Sequence, residues 1–220
     1  MSFDTAVEIT PRESGPYAPS AFRDSPLRRA FDLIADLLVA PYTLSYRIRR
    51  RMIGRERAYL ELSERAAGWP GMRGQRMRRA LHRRMGTPIG EAVILHYGVV
   101  LERPPLSIGR MSAVGHYANL QHVSIGDNAL ISDFVVIVDG RRQHNIDRLD
   151  IPINEQGGIV AQTRIGDDVL IGAHSTILAD VGDHCVVGAG SVVLDPVPPY
   201  MIVAGNPARV IGDRRDRCGA

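Results

Sequence analysis

Residues 163–178 read TRIGDDVLIGAHSTIL. Ile165, Ile171 and Ile177 stand six residues apart; Gly166 and Gly172 follow the first two, and Val169 and Ser175 stand four after them. An α-helix repeats every 3.6 residues and a half-buried strand every two, so neither accounts for a count of six. The count is sustained elsewhere, at Ile108, Val114 and Leu120, at Ile125, Ile131 and Ile137, and at Val181, Val187 and Val193. It slips to five between Leu120 and Ile125 and to four between Ile177 and Val181.

Sixes have a mechanical reading. Each hexad is a short strand and a corner, and three hexads close one triangular turn. The leading aliphatic side chain points into a narrow prism, and the small residue four later (Ala129, Val135, Ser175, Cys185 or Ser191) also points inward where space is tight. The glycine after the aliphatic suits a crowded backbone or a positive φ. One coil cannot bury its own face, so stability comes from stacking. The expected fold is mainly β, a parallel β-helix, with an α-helical segment before it. The prism's open ends expose strand edges that need cover; N-terminal helices suit one end and VPPYMIVAGNPARVIGDR (197–214) the other.

The chain has 220 residues, 45% hydrophobic and 5% aromatic, so its core is built of Val, Ile, Leu and Ala. All 27 basic residues are arginine; seventeen lie in residues 1–86 against nine acids, and ten in residues 87–220 against fifteen acids, a basic head on an acidic body. No apolar run approaches the ~18–20 residues that span a bilayer. The start, MSFDTAVEITPRESG, lacks the pattern of a secretory signal, which makes a cytoplasmic location the expectation. Cys185 and Cys218 are too few for a disulfide scaffold or a cysteine metal cluster.

Residues 1–25, rich in Pro, Ser and charge, are expected to form a mobile arm. Residues 26–88 read as basic helices. Ser25-Pro26 gives an N-cap and first-turn proline, and Pro41 is expected to break or kink the first helix. RERAYLELSERAAG and RGQRMRRALHRRMG supply two more. Residues 89–212 carry the β-helix and 213–220 a tail. Within the β-helix the sixes stop over the loop 138–162, VDGRRQHNIDRLDIPINEQGGIVAQ, and long loops in compact domains are commonly functional. That loop holds His144, which its location singles out from His82, His96, His116, His122, His174 and His184 as a candidate base.

TRIGDDVLIGAHSTIL, VGAGSVV and AGNPARVI, in this order and spacing, resemble the hexapeptide-repeat acyltransferases, such as the galactoside, maltose and exopolysaccharide O-acetyltransferases. The resemblance covers roughly residues 105–212. HNIDRLDIPINEQG is similar to the loop of the branch that acetylates surface-polysaccharide sugars, with His144, Asp147, Asp150, Pro152-Ile153 and Gln156-Gly157 in matching places. It implies a left-handed coil, against the usual crossover hand, and a homotrimer with each site between neighbouring prisms. It also implies acetyl-CoA as acyl donor, a sugar acceptor and no required metal. His144 falls on the family's catalytic base, which takes a proton from the sugar hydroxyl as it attacks the thioester. A backbone N–H near Gly172 or Ala173 would meet the oxyanion. Asn119, in Tyr117-Ala118-Asn119, is implied on the acceptor side, and Asp139 is a candidate there to orient the imidazole. Ala173 and Ala189 occupy the positions lining the pantetheine arm, and Arg209 matches a basic residue near the coenzyme's phosphates. The chain departs from galactoside-type relatives in having Leu194-Asp195 where they have Thr-Lys, and Gly212 where they carry a second arginine; Arg214 is the candidate substitute.

Cys185 reads as core, and His174 and His184 as solvent-facing corners. The basic helices are either a solvated surface or a contact with an anionic membrane through Arg47, Arg49, Arg50 and Arg51 beside Leu44, Ile48 and Ile53. The arginines lack an RNA-motif aromatic pattern, which speaks against nucleic acid. Two rivals are a γ-class carbonic anhydrase, with His116, His122 and His144 converging on zinc around a subunit boundary, and a non-catalytic β-helix scaffold.

Overall fold

A computed structural model describes residues 26–217. The arm expected over residues 1–25, the Ser25 cap and Cys218 lie outside the described residues. Three helices, α1 (Pro26–Met52), α2 (Arg55–Ala67) and α3 (Gly71–Arg84), precede fifteen short strands. The strands form three faces of a parallel β-helix. The first face stacks β1 (Ile94–Leu95), β4 (Ala113–Val114), β7 (Leu130–Ile131), β10 (Leu170–Ile171), β12 (Val186–Val187) and β14 (Met201–Ala204), closed by antiparallel β15 (Arg209–Asp213). The second stacks β2 (Val100–Glu102), β5 (Asn119–Gln121), β8 (Val136–Ile137), β11 (Thr176–Ile177) and β13 (Val192–Val193). The third holds β3 (Ser107–Ile108), β6 (Val123–Ile125) and β9 (Thr163–Ile165), extended by single bridges at Val181 and Val197.

The aliphatic leaders are buried along the prism axis, and so are Ala129, Val135, Ser175, Cys185 and Ser191. The slips in the count have one location. Six residues always separate a third-face leader from the next first-face leader, and a first-face leader from its second-face successor, as in Ile165, Ile171, Ile177 and Val181, Val187, Val193. Only the edge from the second face to the third varies: Leu101 to Ile108, Leu120 to Ile125, Ile177 to Val181, Val193 to Val197. The loop 138–162 leaves from that same edge. The glycines after the leaders answer to crowding. A Cβ on Gly172 would lie 2.4 Å from the Ala189 nitrogen of the next coil. The positive φ falls two residues later, on Phe134, His174 and others.

α1 continues through Pro41, so the expected break does not occur. The missing N–H removes one intrahelical bond, but packing on α2 and α3 holds the helix from outside, and the Thr43 hydroxyl donates to the Ala40 carbonyl at 2.7 Å.

The helices seal the first coil by hydrogen bonds. The Leu101 N–H donates to Ser63 Oγ at 2.8 Å and the Gly98 N–H to the Ala67 carbonyl at 2.9 Å. Three α3 arginines serve the exposed carbonyls. Arg78, fully buried, donates from Nε and Nη2 to Leu95 at 3.1 and 2.9 Å and from Nη1 to Trp69 and Ala66. Arg79 reaches Val93 at 3.3 Å, and Arg83 reaches Ile89 at 2.9 Å and Gly90 at 2.6 Å. At the other end the Val192 N–H donates to Gly205 and the Ala208 N–H to Val192, so the tail covers the last second-face strand.

His82 is fully buried beneath this seal, its Nδ1 3.0 Å from the Tyr59 hydroxyl. Burial, with Arg78 nearby, pulls its pKa down to about 3. The folded state thus refuses a proton that the unfolded chain takes near pH ~6.5. This stability is complete above that pH and is lost as pH falls toward 3. The expected slope is on the order of 1 kcal/mol per pH unit between about pH 6 and 4. Urea titrations of the parent and His82→Gln should show that part of the acid limb flattened in the variant.

Candidate active site

The excursion 138–162 is a two-legged arm held by its own hydrogen bonds. Between the legs, the Ala161 N–H donates to Asp139 at 3.1 Å, the Ile159 N–H to Arg142 at 2.7 Å and the Asn145 N–H to Gly157 at 2.8 Å. The Gln156 side chain closes the tip, donating to the Arg148 carbonyl at 2.7 Å and accepting its N–H at 3.0 Å. At the neck the Thr163 hydroxyl donates to the Val138 carbonyl at 2.7 Å. Arg141 ties the arm to the last coil, donating to Asp195 Oδ1 at 2.8 Å and to the Leu194 carbonyl at 3.2 Å. The Leu194-Asp195 departure thereby acquires a structural use. The arm is anchored at the edge where the last coils are shortest.

His144 sits on the outgoing leg, exposed, with its imidazole bonded to nothing in the described chain. Its backbone is pressed against Gly158, where a Cβ would stand 1.9 Å from the Gln143 oxygen and 2.9 Å from the His144 nitrogen. The two legs pack at a distance that only glycine permits.

Asp139 does not orient that imidazole within the chain. Its side chain is buried, and Oδ2 accepts from Arg103 Nη1 at 2.7 Å. Alternation explains this: Asp139 stands two residues after inward Ile137 and shares its side of the strand. The Asp139 hydrogen bond holds the Arg103 guanidinium's pKa above its ordinary value. Asn119 donates to Glu102 Oε1 at 2.6 Å. Asn119 Oδ1, Asp139 Oδ1 and His122 Nδ1 are buried without partners among the described residues. Glu102 and Arg103 had no signal in the sequence, because the coil register alone sets them beside Asn119 and Asp139.

On the proposed donor side, Gly172-Ala173 and Gly188-Ala189 follow stacked first-face strands. The Gly172 N–H is used by the Val187 carbonyl at 2.8 Å, whereas the Ala173 N–H has no acceptor among the described residues. Arg209, on β15, is exposed, and among the described residues its guanidinium donates only to its neighbouring Ala208 carbonyl at 2.9 Å. Arg214 is committed elsewhere, to the Asp168 carbonyl at 3.0 Å and carboxylate at 2.9 Å, and to the His184 carbonyl at 3.3 Å. Gly212 pairs with Ile202. No hydrogen bond or ion pair within the chain joins His144 to Gly172, Ala173, Ala189 or Arg209.

The remaining candidates have other surroundings. Cys185 is buried and donates to the Pro198 carbonyl at 3.0 Å. His184 lies 3.0 Å from Asp168, and His116 lies 3.1 Å from Asp133. Exposed His174 ends an aromatic ridge, stacked on Phe134, which stacks on Tyr117, with Tyr97 edge-on beyond. Among the described residues no group of three or more His, Cys, Asp or Glu is placed to hold a metal ion.

The family described as hexapeptide repeat of succinyl-transferase matches residues 162–195. A probable acetyltransferase of Mycobacterium tuberculosis is 33% identical over 122 residues, taking in 54% of this chain and 39% of that protein. The chain thus matches well under half the length of that curated relative. A galactoside acetyltransferase solved with coenzyme A is similar at 26% identity and a TM-score of 0.57, covering 74% of this chain and 82% of that one. A hexapeptide-repeat acetyltransferase of Vibrio cholerae O1 biovar eltor, solved with acetyl-coenzyme A, shares the fold at 24% identity and a TM-score of 0.60, covering 74% and 88%. The repeat, the stacked coils and these likenesses show a hexapeptide-repeat β-helix, the fold that these acetyltransferases share.

Proposed function

We propose that the protein is an acetyl-CoA-dependent O-acyltransferase that acetylates a sugar hydroxyl, in surface-polysaccharide or glycan synthesis, with His144 as general base. The observation that carries this reading is the imidazole of His144, unpartnered among the described residues, on an arm fixed by backbone hydrogen bonds. A base needs a free ring nitrogen and a fixed position, about 2.6–3.2 Å from the hydroxyl it serves. Such a hydroxyl loses its proton to the imidazole as its oxygen bonds to the thioester carbonyl carbon. The Ala173 N–H is the available donor for the oxyanion. Collapse breaks the carbon–sulfur bond, the imidazolium returns the proton to the sulfur, and an ester and a free thiol leave. His144 makes no hydrogen bond or ion pair with the donor-side positions of its own chain. That suits a homotrimer in which the arm of one prism faces the coenzyme groove of the next.

The test is thiol release from acetyl-CoA in the presence of sugars, aminosugars and nucleotide-sugars. The expected product is an alkali-labile ester that forms only with a hydroxyl acceptor. An alkali-stable amide would move the reaction to an amine, and failure to bind coenzyme A in calorimetry would end the proposal.

Gly158→Ala is expected to keep the fold and lose turnover by roughly 10–100-fold, since displacement of a reacting group by about 1 Å costs that much. The added methyl must push the Gln143–His144 leg away. Steady-state kinetics should show the loss in kcat, with the melting temperature little changed.

A further inference from the structure

α1 is built with its polarity reversed. Its buried side, Ala35, Val39, Thr43 and Tyr46, faces α2 and α3. At 100° per residue, Leu33, Leu37, Leu44 and Ile48 fall on the opposite side. They are 61, 65, 60 and 54% exposed, and Leu27 and Met52 extend the strip at 68 and 77%. Both acids of the helix turn inward: Asp32 accepts from Arg76 at 2.8 Å and Arg79 at 2.5 Å, and Asp36 from Arg84 at 3.0 Å. Ion pairs lie against the body and leucines face outward over 27 residues, about 40 Å of helix. Apolar patches of this extent mark interaction surfaces.

Charge selects the occupant. Exposed Arg47 and Arg51 border the strip at its C-terminal end, and no acid lies on it. The described helical segment, residues 26–84, carries fifteen arginines against five acids. A second copy laid strip against strip would set like charge on like. An anionic bilayer is complementary, and it offers the flat apolar layer that a straight strip needs. No described helix is long and apolar enough to cross a membrane. We infer that α1 lies in the plane of an anionic lipid surface, with Leu33, Leu37, Leu44 and Ile48 below the headgroups and Arg47 and Arg51 among the phosphates. This goes beyond acyl transfer and does not depend on it.

The test is co-sedimentation of the full chain with vesicles of phosphatidylglycerol and phosphatidylcholine, or of phosphatidylcholine alone, in ~0.1 M salt. The parent is expected to pellet with the anionic vesicles and not with the neutral ones. Leu33→Glu/Leu37→Glu/Leu44→Glu changes only exposed side chains and should abolish binding with circular dichroism and melting unchanged. Arg47→Gln/Arg51→Gln should weaken partitioning on the order of 30-fold. The inference is overturned if the parent stays in the supernatant or pellets equally with both lipids. It is also overturned if the leucine variant pellets like the parent, or if that variant instead forms a smaller oligomer, which would make the strip a contact between copies.

Discussion

His144→Ala is expected to lose turnover by roughly 10²–10⁴-fold, the range that general-base catalysis supplies. Fold and coenzyme binding should be intact. The imidazole bonds to nothing among the described residues, so its removal orphans none of them. The arm's bonds run through the Asp139, Arg142, Asn145 and Gly157 backbones and the Gln156 side chain, all of which remain. A base acts on the hydroxyl proton only as the transition state forms, so the loss should appear in kcat and little in KM. Steady-state thiol release, run beside a coenzyme titration in the calorimeter, checks both halves. Unchanged turnover would remove His144 from the reaction, and lost coenzyme binding would make it a donor-side residue.

The sequence was most legible where structure repeats it. A leader every six residues is the geometry of the prism itself, so Ile165, Ile171 and Ile177 could be placed inward from spacing alone. The slips were visible, but their common edge was not, because the count along the chain does not reveal which corner absorbs the difference. The arm announced itself by breaking the count, and His144 by standing on it. What could not be read were contacts between distant segments. Asp195 looked like a departure from the family pattern until Arg141 was found on it. Asp139 is the candidate carboxylate to orient His144, yet strand alternation sends it inward to Arg103. Arg214 looked like a spare phosphate ligand, and the fold spends it on Asp168 and His184. The arginines of α3 looked like a solvated face, whereas three of them serve the backbone of the first coil.

Among those three, Arg78 carries the larger consequence. Its guanidinium is fully buried, and burial pulls its pKa down to about 10, still well above neutrality. The charge is held by carbonyls: Leu95 on the open edge of the coil, and Ala66 and Trp69 at the end of α2. Arg78→Met keeps much of the volume and leaves those carbonyls without this donor, at about 1–3 kcal/mol for each that water cannot reach. Relief from burying a charge offsets part of the loss. The expected net destabilisation is about 3 kcal/mol, read as a lower urea midpoint with the slope unchanged. Arg78→Lys should fail nearly as badly, since one ammonium cannot reproduce the planar fork. Arg84→Ala controls for charge on the same helix: its pair with Asp36 is half-exposed, and its loss should cost under ~1 kcal/mol. If Arg78→Met unfolds at the parent's midpoint, the helices lie beside the coil without sealing it. If it unfolds early, the loosened head uncovers the β1 edge, and unpaired strand edges recruit other strands. Aggregation should then rise with protein concentration in Arg78→Met and stay at the parent's level in Arg84→Ala.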